Sequence, residues 1–312
     1  MSLRSLLAAV LLAGGLIVSQ AQAQQARPLV DLAWLKAQAG KQGVVVLDAS
    51  GNAAAFAQGH IPGAVFTDFA AKDGWRVDRQ VGDKKAIGQL PEIAHLEKLI
   101  GSMGIGNQDH VVVVSAGRSA GDVSVAARIY WTFKLLGHDR VSILDGGMVG
   151  YLKDKANPLE KGMGAAPAAK AFKANYRPEM RASADEVKGA LGGGTALLDF
   201  RPQDQFVGIN KASSVQRHGT LPGAVNVPGE WATRDGGGEL RSIEGLKSLY
   251  ALQQAPAEGN AIAFCNTGIW ASLGWFVNSE LLGNKQTKMY DGSMSDWTID
   301  AAAPMVRKVK LD

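Results

Sequence analysis

Gly59-His60-Ile61-Pro62-Gly63-Ala64-Val65 returns as Gly219-Thr220-Leu221-Pro222-Gly223-Ala224-Val225, with only His60 and Ile61 exchanged. A Pro-Gly pair followed by small and β-branched residues marks a tight turn that feeds a strand. Both turns follow a short apolar run that ends in aspartate, Val44-Val45-Val46-Leu47-Asp48 in one half and Ala196-Leu197-Leu198-Asp199 in the other. The match continues in order. Val111-Val112-Val113-Val114-Ser115 corresponds to Ala261-Ile262-Ala263-Phe264-Cys265. Two helical stretches follow, residues 125–136 and 271–282, each closed by a glycine, Gly137 or Gly283, where a helix C-cap is expected. Leu144-Asp145-Gly146-Gly147-Met148 then corresponds to Tyr290-Asp291-Gly292-Ser293-Met294. A repeat of about 150 residues is too long for a solenoid and reads as a duplicated domain.

Short continuous apolar runs alternating with helical segments are the pattern of buried parallel strands joined by crossover helices. The expected fold class is therefore α/β, as two domains, each a mostly parallel sheet flanked by helices. Residues 27–156 form the first domain and 177–304 the second. Residues 157–176 are rich in Ala, Gly, Lys and Pro without periodic apolar positions and read as a linker.

With 312 residues, 46% hydrophobic and 20% charged, the chain can build two sizeable cores. Its formal charge is +4 and its basic residues are scattered. That balance suits small anionic substrates and gives no case for nucleic acid. Arg4, an apolar stretch over 6–18 and Ala21-Gln22-Ala23 have the form of a cleavable signal peptide over residues 1–23. The apolar stretch falls short of the roughly 20 residues a bilayer span needs. The expectation is an exported protein without a membrane span, periplasmic in a Gram-negative host.

Cys265 is the only cysteine. In an oxidising compartment it has no partner within its own chain for a disulfide. It ends an apolar run and opens the short loop Asn266-Thr267-Gly268-Ile269-Trp270, ahead of a helix. Backbone N–H groups and a helix N-terminus converge there, which suits a nucleophilic thiolate. The other reading is a small buried hydrophobe, as free cysteine often is. Ligands of open α/β sheets bind beyond the carboxyl ends of the strands, which favours the nucleophile. The five histidines are scattered without metal-ligand spacing, so no metal is expected from them. Gly192 to Gly194 and Gly236 to Gly238 read as turns, since neither leads into the Gly-Lys-Ser/Thr of a phosphate loop. Asp145 and Asp291, each preceding glycine, read as turn builders.

From about residue 30 to 297 the chain resembles the tandem-domain rhodanese sulfurtransferases. The resemblance rests on Asp199 to Arg201 (Asp-x-Arg), the Pro-Gly turn in both halves, Cys265 to Gly268 (Cys-x-x-Gly) and the Asp-Gly-Gly/Ser-Met element in both halves. It implies an inactive N-terminal domain, with Ser115 in the cysteine position, and a catalytic C-terminal one. It implies that Cys265 takes sulfur from a small anionic donor such as thiosulfate as a persulfide and gives it to a thiol or cyanide, with no cofactor or metal. N–H groups of Asn266, Thr267, Gly268, Ile269, Trp270 and Ala271 would cradle the sulfur, and Arg201 would bind substrate unless it forms a structural pair with Asp199. The chain departs from the family's better-known loops. Asn266 and Thr267 are neutral where thiosulfate-type loops carry cations, Trp270 replaces the threonine of mercaptopyruvate-type loops, and Gln205 stands where a second arginine is expected. Arg217 and His218 could supply charge instead or lie on the surface. Trp270 could narrow the pocket or pack against the N-terminal domain. Two other readings are a phosphatase and a non-catalytic binding module or persulfide carrier. The first is disfavoured because Ala271 stands where a phosphate-cradling Cys-x5-Arg loop needs its arginine.

Overall fold

The computed structural model describes residues 26–311. The proposed signal peptide lies outside them. Among the described residues no helix is long and apolar enough to cross a membrane.

The N-terminal half carries strands β1 (Leu29–Val30), β2 (Val44–Asp48), β3 (Val65–Phe66), β4 (Val77–Val81), β5 (Lys84–Gln89), β6 (His110–Val114) and β7 (Val141–Leu144). Its helices are α1 (Leu32–Gln38), α2 (Ala53–Gln58), α3 (Ile93–Ser102), α4 (Ala120–Leu135) and α5 (Gly147–Leu152). Five strands pair in parallel in the order β1-β7-β6-β2-β3, while β4 and β5 form a separate antiparallel hairpin. In the second half, α6 (Ala184–Ala190), β8 (Ala196–Asp199), α7 (Gln203–Val207), β9 (Val225–Asn226), α8 (Ile243–Leu252), β10 (Ala261–Phe264), α9 (Ile269–Trp275), β11 (Thr287–Met289) and α10 (Ser293–Trp297) repeat the plan. Here the parallel order is β11-β10-β8-β9. The α/β class with flanking helices is as the sequence pattern required.

Alternation along the strands sorts their side chains between two faces. In β6, Val111 and Val113 join a core that runs between the domains, whereas Val112 and Val114 face an outer core of the N-terminal half. In β10, Ala261 and Ala263 belong to the inter-domain core, while Ile262 and Phe264 face the outer core of the C-terminal half. The same parity turns Ser115 and Cys265 toward the inter-domain side.

Helices α4 and α9 follow these two strands and pack on each other between the sheets. Helix α4 is buried almost all round, as a helix enclosed by its own sheet and a neighbouring domain must be. It starts earlier than its apolar pattern indicates, because Ser119 caps it by accepting the Asp122 N–H. The stretch read as one helix over 271–282 is instead α9 followed by a π-helix, Phe276–Leu281. Residues 157–176 contain no helix or named strand, yet they lie pinned along the first domain. Phe172 is buried, and the N–H groups of Lys170, Lys173, Ala174 and Asn175 donate to Gly101, Asn107, Glu97 and Leu136.

Candidate active site

Cys265 immediately follows β10 and is completely buried. Its N–H donates to Ser293 Oγ at 3.0 Å, and the same hydroxyl lies 3.9 Å from Sγ and donates to the Tyr290 carbonyl. Ser293 adopts φ +52°, a region that side-chain-bearing residues rarely enter, and such strain gathers at functional sites. The loop carbonyls of Cys265 and Asn266 accept from the N–H groups of Met294 and Ser295. Gly268, at φ +80°, turns the chain into α9. Among the described residues, the N–H groups of Asn266 to Ala271 meet no carbonyl or side-chain acceptor. The loop thus offers a run of uncommitted donors beside the thiol, an arrangement suited to negative charge. Gly268 and Ala271 are buried, whereas Asn266, Thr267, Ile269 and Trp270 are half-buried.

For Arg201 the structure shows the pairing with Asp199 that was the alternative to substrate binding. Its guanidinium is fully buried and grips Asp199 through Nε at 3.0 Å and Nη2 at 2.6 Å, with Nη2 also donating to the Gly219 carbonyl. The Asp-x-Arg element places both ends of this pair at the exit of β8, where Thr220 also donates to Asp199. The pair ties β8 to the Pro-Gly turn. Gln205, from α7, accepts from Asn266 Nδ2 at 2.8 Å and so braces the loop. Arg217 donates to the carbonyls of Ala303 and Asp300 in the C-terminal segment. The Trp270 ring lies against Gly229 of its own domain and reaches Gly121 of α4, at the boundary between the halves.

The N-terminal domain covers the cysteine loop. From the β4–β5 hairpin, Ile87 N–H donates to Ser295 Oγ, and just beyond it Leu90 N–H donates to Asp291 at 2.8 Å. Gly88 approaches Thr267 so closely that a Cβ there would stand 3.0 Å from the Thr267 carbonyl. From α4, Arg128 reaches the carbonyls of Gly88 and Gly268. Asp291 is more than a turn builder. Buried, it accepts from Leu90 and from Arg181 Nε at 2.7 Å, and lies 3.6 Å from Arg128. A cavity of about 450 Å³ opens beside it, lined by Arg79, Gln89, Tyr176, Arg181 and Tyr290 among others, but Cys265 does not line it.

The cover is reciprocal. Around Ser115, the N–H groups of Met148 and Val149 donate to the carbonyls of Ser115 and Ala116, as Met294 and Ser295 do at Cys265. Leu240 N–H, from the second domain, donates to Asp145 as Leu90 does to Asp291. Burial pushes the Asp145 carboxyl above its ordinary range. Ser115 Oγ is buried without a partner among the described residues, so no base stands ready to activate it.

The rhodanese-like domain family matches residues 31–154 and again 183–300. This chain belongs to the rhodanese-like family. Two relatives named "Putative thiosulfate sulfurtransferase" come from Saccharopolyspora erythraea and Mycolicibacterium smegmatis. The first is 34% identical over 86% of this chain and 92% of its own length, the second 33% over 89% and 96%. Among solved structures, the 3-mercaptopyruvate sulfotransferase SseA of Escherichia coli superposes with a TM-score of 0.70 at 25% identity, over 86% of this chain and 98% of its own. The anaerobic ergothioneine biosynthesis enzyme of Chlorobium limicola shares the fold, with a TM-score of 0.76 at 21% identity over 92% of this chain and 72% of its own. Within this rhodanese-like pair of domains, sequence reasoning missed three parts of the site: Arg128, the β4–β5 hairpin and Ser293 as the acceptor for the Cys265 N–H. Only Ser293 carried a signal, as the one non-glycine residue in its copy of a repeated glycine position, opposite Gly147.

Proposed function

We propose that this protein is a sulfurtransferase that carries sulfane sulfur on Cys265. The thiolate attacks the outer sulfur of thiosulfate or a related anionic donor. With thiosulfate the S–S bond breaks and sulfite leaves with the bonding electron pair, while with 3-mercaptopyruvate the C–S bond breaks and pyruvate leaves as its enolate; either way Cys265 holds an anionic persulfide. A thiol acceptor in its thiolate form, or cyanide, then attacks the outer sulfur and returns Cys265 as thiolate. The observation that carries this reading is the chain's single thiol standing at the end of β10 beside the uncommitted N–H groups of Asn266 to Ala271. Those donors suit the thiolate and the persulfide alike, because both are anionic. The expected setting is the periplasm, reached through the signal peptide at residues 1–23.

The test is intact mass of the purified protein before and after thiosulfate and, separately, 3-mercaptopyruvate, with Cys265→Ser as control. A gain of one sulfur atom by the wild type alone is expected, and the donor that achieves it names the subclass. No gain from either donor, with Cys265 still open to alkylation, would leave the non-catalytic binding module as the better reading.

A further inference from the structure

The cavity of about 450 Å³ beside Asp291 belongs to neither half alone. Arg79, Ala86 and Gln89 wall it from the β4–β5 hairpin, and Arg181, Tyr290 and Asp296 wall it from the second domain. Its volume lies in the range of small-molecule sites. Neither Cys265 nor any residue of the 266–271 loop lines it, so a ligand here is separate from the sulfur site.

Part of the wall has donors to spare. Gln89 is 5% exposed, yet its Nε2 meets no acceptor among the described residues. A buried amide donor without a partner is uncommon enough to need a reason. Arg79 uses only Nη2, on the Leu90 carbonyl at 3.0 Å and on Glu92 at 3.2 Å, which leaves Nε and Nη1 without acceptors among the described residues. Arg181 spends Nε and Nη2 on Asp291, leaving Nη1 for the Tyr176 hydroxyl or for a ligand. Guanidinium groups and a carboxamide N–H are the donors that recognise a carboxylate.

The three carboxylates of the lining are not equivalent. Asp291 is taken up by Arg181, Arg128 and the Leu90 N–H, and Glu186 by Lys288 at 2.6 Å and by Ser183. Asp296 accepts only from the Tyr290 hydroxyl, at 2.6 Å through Oδ2, and forms no ion pair among the described residues. It is the one carboxylate of the cavity that lacks a cation. Unused donors for an anion and an unmatched carboxylate thus share one space, with Ala86 and the tyrosine rings as apolar surface.

We propose that this cavity binds a small zwitterion of the amino acid or short-peptide class, its carboxylate on Arg79, Gln89 and Arg181 and its ammonium on Asp296. Such an occupant touches both domains, so it fastens the β4–β5 hairpin to the second one. The site stands whether or not Cys265 carries sulfur.

Isothermal titration calorimetry of the whole protein with trialanine, its C-terminal amide and its N-acetyl form tests both ends of the ligand. Saturable binding of trialanine is expected, with either blocked peptide at least about tenfold weaker. Arg79→Gln and Asp296→Asn should each weaken trialanine binding by a similar factor. Both variants should fold, because the Arg79 side chain is 46% exposed and its surface ion pair contributes little, while an asparagine at 296 still accepts from Tyr290. No saturable binding up to about 10 mM, or equal binding of a blocked peptide, overturns the proposal. A bridging ligand must also slow hydrogen exchange of the amides over residues 77–89. Binding that leaves this exchange unchanged puts the peptide elsewhere and overturns the proposal too.

Discussion

Arg201 and Arg128 are both fully buried guanidinium groups, and only one of them is visible in the sequence. Arg201 stands two residues from Asp199, so its partner is local and Asp-x-Arg announces the pair. What the motif leaves open is whether the arginine looks inward or toward substrate, because the burial that decides this comes from the Pro-Gly turn around Gly219 and Thr220. Arg128 lies in a helix of small and apolar residues, and its partners Gly88, Gly268 and Asp291 come from distant segments. No spacing rule could have found it. Arg201→Ala strands Asp199 as an uncompensated buried carboxylate, which costs about 3–5 kcal/mol of stability. Urea unfolding should show that loss directly. A variant of wild-type stability that instead binds its donor more weakly would return Arg201 to the substrate site.

At the scale of elements, the sheet strands and the Pro-Gly turns were legible because a buried parallel strand must be a continuous apolar run and a tight turn needs its glycine. The β4–β5 hairpin was not, since Val77-Asp78-Arg79-Gln80-Val81 is polar and largely exposed, and its role depends on the other domain. The onset of α4 was hidden for a related reason, because Gly121 and Asp122 break the apolar pattern while Ser119 provides the cap. This hairpin is part of what covers the thiol. Gly88, at φ +76°, fits against Thr267 only because it lacks a side chain. Gly88→Val strains the backbone and drives a branched side chain into the cysteine loop, so the hairpin must lift. Alkylation of Cys265 is expected to accelerate several-fold. An unchanged rate would mean that the thiol is closed by something other than the hairpin.

For the molecule as a whole, duplication explains why each half covers the other. Leu90 and Asp291 form one clamp, Leu240 and Asp145 its counterpart, and α4 lies on α9 between them. The apolar core between the sheets is continuous, joining Trp75, Val113 and Trp131 of the first half to Phe200, Leu273 and Trp275 of the second. Domains joined by modest polar interfaces move and unfold separately. Here separation would expose to water the side of α4 that packs on α9 and the α9 surface facing it, so neither half retains a closed core alone. Intact protein is therefore expected to unfold in one transition, with tryptophan fluorescence and far-ultraviolet circular dichroism tracing the same denaturant curve. Two resolved transitions would show that the clamps and the shared core are too weak to couple the halves. The outcome also bears on how a donor reaches a thiol with no exposed surface. If the halves cannot part without unfolding, access must come through local movement of the β4–β5 hairpin, which is held by hydrogen bonds to Ser295 and Ile299 and meets the cysteine loop through the close contact of Gly88 with Thr267. If they part easily, the domain boundary itself is the entrance, and Trp270, which spans it, becomes the residue that a donor meets first.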